Sequence, residues 1–593
     1  MKYAYEHRGL ALILLVFIII GCCHALWTPL FVKPDEEWHF AYVVHIRQTG
    51  SLPSARERTA YEGYQPPLYY LLGVLVSLPI RLDDTYQLYY RNPHFLSTVK
   101  GNHNLFAPCP SQAAKAVYLL RFLSLAFGVT AVIATYLMGL RLCSKEIALM
   151  GSAGLALLPT FAFITTSVTN DAAVISFTAL VLVVATDALK NGLNARKGAI
   201  FGLFAGLATL SKLIGLFSFA LLPVLALRSP GSGKEKRKGV MAALGGLLLP
   251  LPWFVRNYLL FGDPFALFGL SPKPAVNPGD LYEMLVFAWK SFWLDFSPGR
   301  LLYGPLWMYW AYGAIVFVGL FGLLRGLRKL AQLSRGMNAT SLGQEALPFP
   351  TFVTILCLYA LVVMSIFASL LLISIKHFTG GGRYLLPAAG AVMLLLAWGF
   401  KNLFSNRWLP FLWYILWGLS AFYALFGVLI PGYYPQSTKS AVSADPIGLL
   451  KDEIALVEYQ YDKRSLGPGD DLKVMITWQL LKPTSERYSV FVQLLAPGER
   501  GEQVVAQVDT YPGLGYYPTC RWKVGRAVRD FYILRLPETL PVYQGPLRLI
   551  AGMYKFETMG RLAAYQVERG ERKRLYQDAF TLGFLQIRGQ GEP

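Results

Sequence analysis

Residues 8–40 read RGLALILLVFIIIGCCHALWTPLFVKPDEEWHF. The apolar run reaches Val32, and a bilayer crossing takes about 20 such residues. It ends directly against three acidic residues, Asp35, Glu36 and Glu37. Adjacent carboxylates at a bilayer edge are costly unless they are hydrated, paired or used. A solvated helix start, with Asp35 and Glu36 favoured by the helix dipole, is the plain alternative. Lys2, Arg8 and the Ile19-Ile20-Gly21-Cys22 stretch also suit a signal peptide, even a lipoprotein cleavage site. A run reaching Val32 exceeds the usual ~7–15-residue apolar core of such signals. An uncleaved first span is expected.

The rest of the chain agrees. Of 593 residues, 54% are hydrophobic and 15% charged, against about 25% charged in an average soluble domain. Disordered, fibrous and secreted disulfide-rich classes are excluded. The 55 Lys+Arg and 35 Asp+Glu leave a net +20. A nucleic-acid partner would need that charge on one face of a soluble fold, so none is expected. Spans are expected near 9–30, 117–140, 146–167, 172–189, 198–211, 213–227, 239–258, 305–324, 350–374, 384–400 and 408–430. Eleven crossings place the chain ends on opposite sides.

Charge tells the sides apart. One alternate set of loops carries Lys2/Arg8, Arg141/Lys145, Lys190/Arg196/Lys197, Arg228/Lys234/Lys236/Arg237/Lys238, Arg325/Arg328/Lys329/Arg335 and Lys401/Arg407. By the positive-inside rule these are cytoplasmic. The long aromatic segments 31–116, 259–304 and everything after 431 therefore face outward. Within the first, Pro66-Pro67 opens a short apolar helix, 67–80, which is read as interfacial. Counting it as a span would invert every later loop.

After residue 445 the pattern changes to short alternating segments, including Leu472–Trp478, Tyr488–Leu495, Asp530–Leu536 and Leu547–Phe556. Regular turns between them predict a β-sandwich in 446–593, following a membrane domain over 1–435. Trp478, Trp522 and the Tyr511–Tyr517 stretch offer sugar-stacking surfaces, though aromatics in a sandwich are more often core. Among six cysteines only Cys109 and Cys520 lie outward, and spacing leaves open whether they pair.

The polar groups at outward span ends are Asp35, Glu36, Arg121, Asn170/Asp171, Lys212, Arg256 and Arg383/Tyr384. Each alone is an ordinary interfacial snorkeller. Together they put carboxylates and several cations on one face, which suits a lipid-linked phosphate that must leave while an acid or base acts nearby. His39, four residues from Asp35, shares its helix face. Glu62 and Gln65 lie in the same loop as further contacts for substrate or metal. Asp35, Glu36, His39 and Asp171 are compatible with a hard divalent cation, but no obligatory metal is expected.

The ordered set PDEEWHF, YQPPLYYLL, the Arg121 span entry, Thr169-Asn170-Asp171, LSKLIGL, PWFVRNYLLFGDPF and GGRYLLP resembles the GT-C superfamily of polytopic glycosyltransferases. Relatives there are protein O-mannosyltransferases and aminoarabinose lipid A transferases, and the match is nearest to a bacterial group of uncharacterised GT-C-like membrane proteins. It covers about residues 8–400. The resemblance implies transfer from a polyprenyl-phosphate-linked sugar to a glycan, lipid or protein acceptor on the outer face of a bacterial plasma membrane, with inversion. It makes Asp35 the base, Glu36 the second acid, and Arg121 and Arg383-Tyr384 the donor-phosphate contacts. Lys212 and Arg256 join them on charge and side. His39 and the 86-residue first outward loop depart from the superfamily pattern and leave the acceptor open. The competing class is a transporter or flippase for a lipid-linked or anionic solute. Internal repeats and mid-bilayer charges, common in transporters, are not found here.

Overall fold

A computed structural model describes residues 7–54, 56, 62–95, 105–266, 278–296, 304–336, 349–377, 381–403, 409–433, 437–438, 446–499, 501–513, 515–541, 543, 545–568 and 571–588. Of the loop cations named above, Lys2 and Arg407 lie outside these residues. The chain divides into two compact units, Met1–Thr28, Val32–Arg81 and Lys115–Leu429 in one, and Pro29–Phe31, Leu82–Ala114 and Ile430–Pro593 in the other. The first outward loop is therefore shared between the units, where sequence had kept it whole within the membrane domain.

Seven described helices are long and apolar enough to cross a membrane: Arg8–Trp27, Ala113–Leu142, Asp171–Asn191, Leu306–Gln332, Pro350–Ala368, Gly382–Leu403 and Phe411–Tyr433. A pair bent by 46°, Gly233–Leu248 and Leu251–Phe261, makes eight if counted as one span. The other three expected spans are shorter helices. Segment 146–167 splits into Lys145–Ala156 and Pro159–Ile164, because Pro159 can start a helix but not continue one. Segment 198–227 breaks at Lys212, whose backbone is extended (φ −156°, ψ 140°). The di-proline is followed by the helix Leu68–Ser77, 10 residues long.

Small residues let two of these helices touch backbone to backbone. A Cβ at Gly198 or Gly202 would collide with the carbonyl oxygens of Gly239 and Ala243 respectively. Spaced by four, these glycines form the stripe that membrane helices use for close approach. Their helix, Ala195–Ser211, delivers Lys212 to the candidate site.

The second unit is a two-sheet sandwich. One sheet orders its strands Ser437–Thr438, Ala527–Arg535, Asp471–Leu480, Ile454–Tyr461, Gly448–Leu450, Ala564–Glu568, Glu571–Arg574. The other runs Ser465–Leu466, Phe580–Ile587, Leu547–Lys555, Tyr488–Ala496, Gln503–Thr510. Leu472, Val474, Ile476 and Trp478, at alternate positions, are fully buried in a core shared with Val490, Val492, Leu494, Leu549 and Leu585. That alternation is the period-2 signal realised. The segment Leu82–Ala114 joins this unit through side chains. Arg487 donates to the Ala107 carbonyl (2.9 Å) and to Gln87 Oε1 (3.0 Å), and His94 Nε2 meets Ser489 Oγ at 2.7 Å. Cys109 and Cys520 form a disulfide, with Cα atoms 5.8 Å apart. Trp478, Tyr511, Tyr516 and Trp522 are all buried and so are core rather than a sugar-stacking surface, while Tyr517 is half-buried against that core.

Candidate active site

The first span stops at Trp27, and the chain turns into the helix Glu36–Thr49 at Asp35. Asp35 caps that helix with its backbone. Its carbonyl accepts from Trp38 N–H and His39 N–H, while its own φ of 57° lies in the left-handed region. That conformation is costly for most side chains but tolerated by Asp and Asn. The helix buries Glu36, His39, Phe40, Tyr42, Val43 and Val44 and ends at Gly50, also left-handed at φ 69°.

The turn sends two neighbouring carboxylates in different directions. Glu36 meets Arg121 in a two-pronged pair, Oε1–Nε 2.8 Å and Oε2–Nη2 2.6 Å, both side chains 0% exposed. Arg121 Nη1 donates to the carbonyls of Ala25 and Thr28, at 2.7 and 2.8 Å. Glu36 Oε1 also accepts from Val168 N–H. Burial works to raise the Glu36 pKa, but Arg121 more than offsets it and the carboxyl lies below its ordinary value. Lys33, equally buried, donates from Nζ to the carbonyl and hydroxyl of Thr166 and lies over the Phe163 ring. Burial, with Arg121 adding to it and Glu36 opposing, pushes its ammonium well below the usual lysine range. This cluster ties the end of the first span to Ala113–Leu142 and to the turn before Asp171. Arg121, expected at the donor phosphate, here meets protein groups, and Glu36, expected as the second acid, is its sealed partner.

Asp35 stays accessible, its side chain 43% exposed, and pairs through Oδ2 with Arg383 Nη2 at 2.5 Å. Burial acts to raise its pKa; Arg383, then His39 and Lys212, outweigh it, and the carboxylate lies below its ordinary value. Arg383 follows Gly382, whose N–H donates to Ser291 Oγ at 2.6 Å and where any Cβ would strike the Ala288 carbonyl. Only glycine fits there, which fixes the direction in which Arg383 leaves. Tyr384 lies between two cations. Lys212 Nζ is 4.9 Å and the Arg383 guanidinium 5.1 Å from its ring centre, and its hydroxyl is 3.3 Å from Arg383 Nη2. Lys212 in turn pairs with Asp171 Oδ1 at 2.5 Å, at the start of the helix Asp171–Asn191.

Around this row the remaining groups brace one another. His39 Nδ1 is 2.8 Å from the Tyr70 hydroxyl, and Nε2 is 3.5 Å from Thr169 Oγ1. Burial first brings the His39 pKa down to about 4, so the ring is neutral near pH 7. Tyr70 stacks on Tyr42 with ring centres 3.8 Å apart. Asn170 Nδ2 links Gln65 Oε1 (3.0 Å) to the Ser211 carbonyl (2.9 Å), so Gln65 and Asn170 lock the di-proline turn to the helix that carries Lys212. Arg256 donates to the carbonyls of Leu52 and Pro53 and lies over Trp253. It holds the first loop. Glu62 is buried beside the row.

Of the acids proposed for a metal, three are matched to a cation, Asp35 to Arg383, Asp171 to Lys212 and Glu36 to Arg121, and Glu62 is not. Among the described residues no three His, Cys, Asp or Glu side chains gather as a metal site. Sequence reasoning passed over Lys33 and Tyr70. Lys33 stood in the quoted motif, but nothing in its neighbours announces a buried lysine.

Residues 115–255 match the family described as dolichyl-phosphate-mannose-protein mannosyltransferase. No curated protein matches. Among solved structures, ArnT of Cupriavidus metallidurans bound to undecaprenyl phosphate is 14% identical, with 68% of this chain and 62% of that one covered at a TM-score of 0.43. The Pmt1–Pmt2 protein O-mannosyltransferase complex of S. cerevisiae bound to its sugar donor is 22% identical, covering 45% and 35% at 0.31. The archaeal oligosaccharyltransferase AglB of Archaeoglobus fulgidus, in complex with an inhibitory peptide and a dolichol-phosphate, is 12% identical, covering 72% and 56% at 0.40. The chain thus spans less than two thirds of each of these.

Proposed function

We propose that this chain is a membrane glycosyltransferase that moves a sugar from a polyprenyl-phosphate-linked donor to a hydroxyl of a glycan, lipid or protein acceptor. The observation that carries the reading is the accessible Asp35–Arg383 pair at 2.5 Å, continued by Tyr384 and Lys212. An acid and two cations in one row suit a reaction in which a proton leaves one partner as a phosphate leaves the other.

The acceptor oxygen attacks the anomeric carbon from the face opposite the phosphate. The bond from that carbon to the phosphate oxygen breaks, its electrons go to the departing polyprenyl phosphate, and the acceptor proton passes to Asp35. The new bond carries inverted configuration. Arg383 and Lys212, with the Tyr384 hydroxyl, hold the charge that develops on the leaving phosphate. Arg383 also pairs with Asp35 here. A donor phosphate that draws Arg383 to itself relieves Asp35 of the charge that depresses its basicity, so donor binding switches the base on. Lys33, Arg121 and Glu36 hold the turn that aims Asp35. Arg256 braces the first loop.

The reaction is assigned to the outer face of a bacterial plasma membrane. Two features support that side. The loops rich in Lys and Arg lie on the opposite side of the expected topology, and a Cys109–Cys520 disulfide belongs to an oxidising compartment. The test is transfer by the purified full-length protein from undecaprenyl-phosphate-linked sugars to cell-envelope extracts, followed by mass spectrometry. A new glycan mass with wild type and none with Asp35→Asn supports the reading; equal product from both overturns it.

A further inference from the structure

Glu62 sits in the turn just ahead of Pro66-Pro67, 5% exposed. Gln65 shares a side-chain hydrogen bond with it, yet its Oε2 finds no hydrogen-bond partner among the described residues. A buried carboxyl oxygen without a partner is a standing cost to the fold, and such groups in native proteins call for an explanation. Its surroundings supply one. Gln65, three residues on, accepts from Asn170 Nδ2 at 3.0 Å, and Asn170 adjoins the Asp171 that pairs with Lys212, so Glu62 belongs to the loop that packs beside the row, and the charges of Asp35, Lys212 and Arg383 all act on it. Glu37, Tyr64 and Tyr70 are the other titratable groups that feel it. A sugar in transit occupies the space between base and phosphate. A carboxyl oxygen for a ring hydroxyl is the chemistry that would hold it there.

We propose that Glu62 contacts the transferred sugar itself and reads one of its hydroxyl groups through Oε2, an inference that rests on the transferase reading above. Burial, with the negative charge of Asp35 added, pushes the Glu62 carboxyl up to about 7. It can therefore donate or accept a hydrogen bond near neutral pH.

The experiment measures kcat/KM of full-length protein with undecaprenyl-phosphate-linked hexoses and their mono-deoxy counterparts. A site built around one hydroxyl rejects the analogue that lacks it by up to about 10⁴-fold. Wild type is expected to penalise one deoxy position strongly. Glu62→Ala is expected to lose about 10²-fold on the parent sugar and to become indifferent at that position, while other positions keep their effects. Glu62→Gln, which keeps the shape and a carbonyl acceptor, falls between. Glu62→Gln keeps or raises the thermal midpoint near neutral pH, since it removes a buried group that burial resists charging. Discrimination that survives in Glu62→Ala overturns the assignment. So does a fall of midpoint and activity together in both variants, the mark of a structural role. Wild-type protein that transfers none of these sugars overturns the transferase reading, and this one with it; an active wild type with undiminished discrimination in Glu62→Ala overturns this one alone.

Discussion

Asp35 and Glu36 are neighbours in sequence and opposites in structure. Glu36 and Arg121 are sealed at 0% exposure with their bonds spent on protein groups, whereas Asp35 and Arg383 keep 43% and 18% of their side chains exposed. A sealed ion pair of this kind holds geometry, and breaking it strands a buried charge. An accessible pair can exchange partners, which a reacting group must do. The difference separates scaffold from chemistry within a single motif.

The harshest way to break the comparison is Arg121→Ala. Removing one partner of a buried pair costs about 3–5 kcal/mol, so little folded protein is expected by size-exclusion chromatography. Replacing both partners together, as Arg121→Met with Glu36→Leu, should recover much of the fold. Folded, active Arg121→Ala with weakened donor binding would return Arg121 to the phosphate. Next comes Asp35→Asn, expected to lower turnover about 10²–10⁴-fold, the usual worth of a general base, at an unchanged thermal midpoint. A smaller loss, about 10²–10³-fold, is expected for Arg383→Ala, as for the loss of one charge-stabilising donor. Titration with undecaprenyl phosphate should show weaker binding there; binding at wild-type strength would leave Arg383 with no role beyond its ion pair.

The smallest effect sharpens the contrast by pH. The Glu62 carboxyl is pushed from 4.5 up to about 7, so the folded state holds its proton more tightly than the unfolded chain. Stability from that group is full below about 4.5 and is lost as pH rises toward about 7. Glu62→Gln should therefore gain thermal midpoint over wild type progressively across that window. His39 works with the opposite sign. Lowered to about 4, it contributes stability above about 6.5 that is lost as pH falls toward about 4, so His39→Gln should show its difference at the acid end. A Glu62→Gln difference that is flat with pH would show that the carboxyl is not held protonated.

Much of this was legible in sequence, for identifiable reasons. Apolar runs and period-2 alternation are local signals, so the long spans and the strands Asp471–Leu480 and Leu547–Lys555 stood out. Asp35, Lys212 and Arg383 stood out because charges at apolar borders are conspicuous. Pairing was not legible. Nothing local says that Glu36 will meet Arg121, 85 residues on, rather than act beside Asp35. Length misled at 146–167, where Pro159 was visible but outweighed by hydropathy. The segment 82–114 hid its allegiance altogether, since its ties, such as Arg487 to Gln87 across 400 residues, lie wholly in tertiary structure.

The Cys109–Cys520 bond also bears on how the molecule is made. Its two halves are 411 residues apart, and most of the membrane-spanning chain is synthesised between them. At roughly 5–20 residues per second, Cys109 and its segment wait tens of seconds for the strands they belong with. During that interval the thiol is open to wrong partners. The sandwich is therefore a domain begun early and closed last, and oxidative folding factors would have to act on it after the final helix is in place.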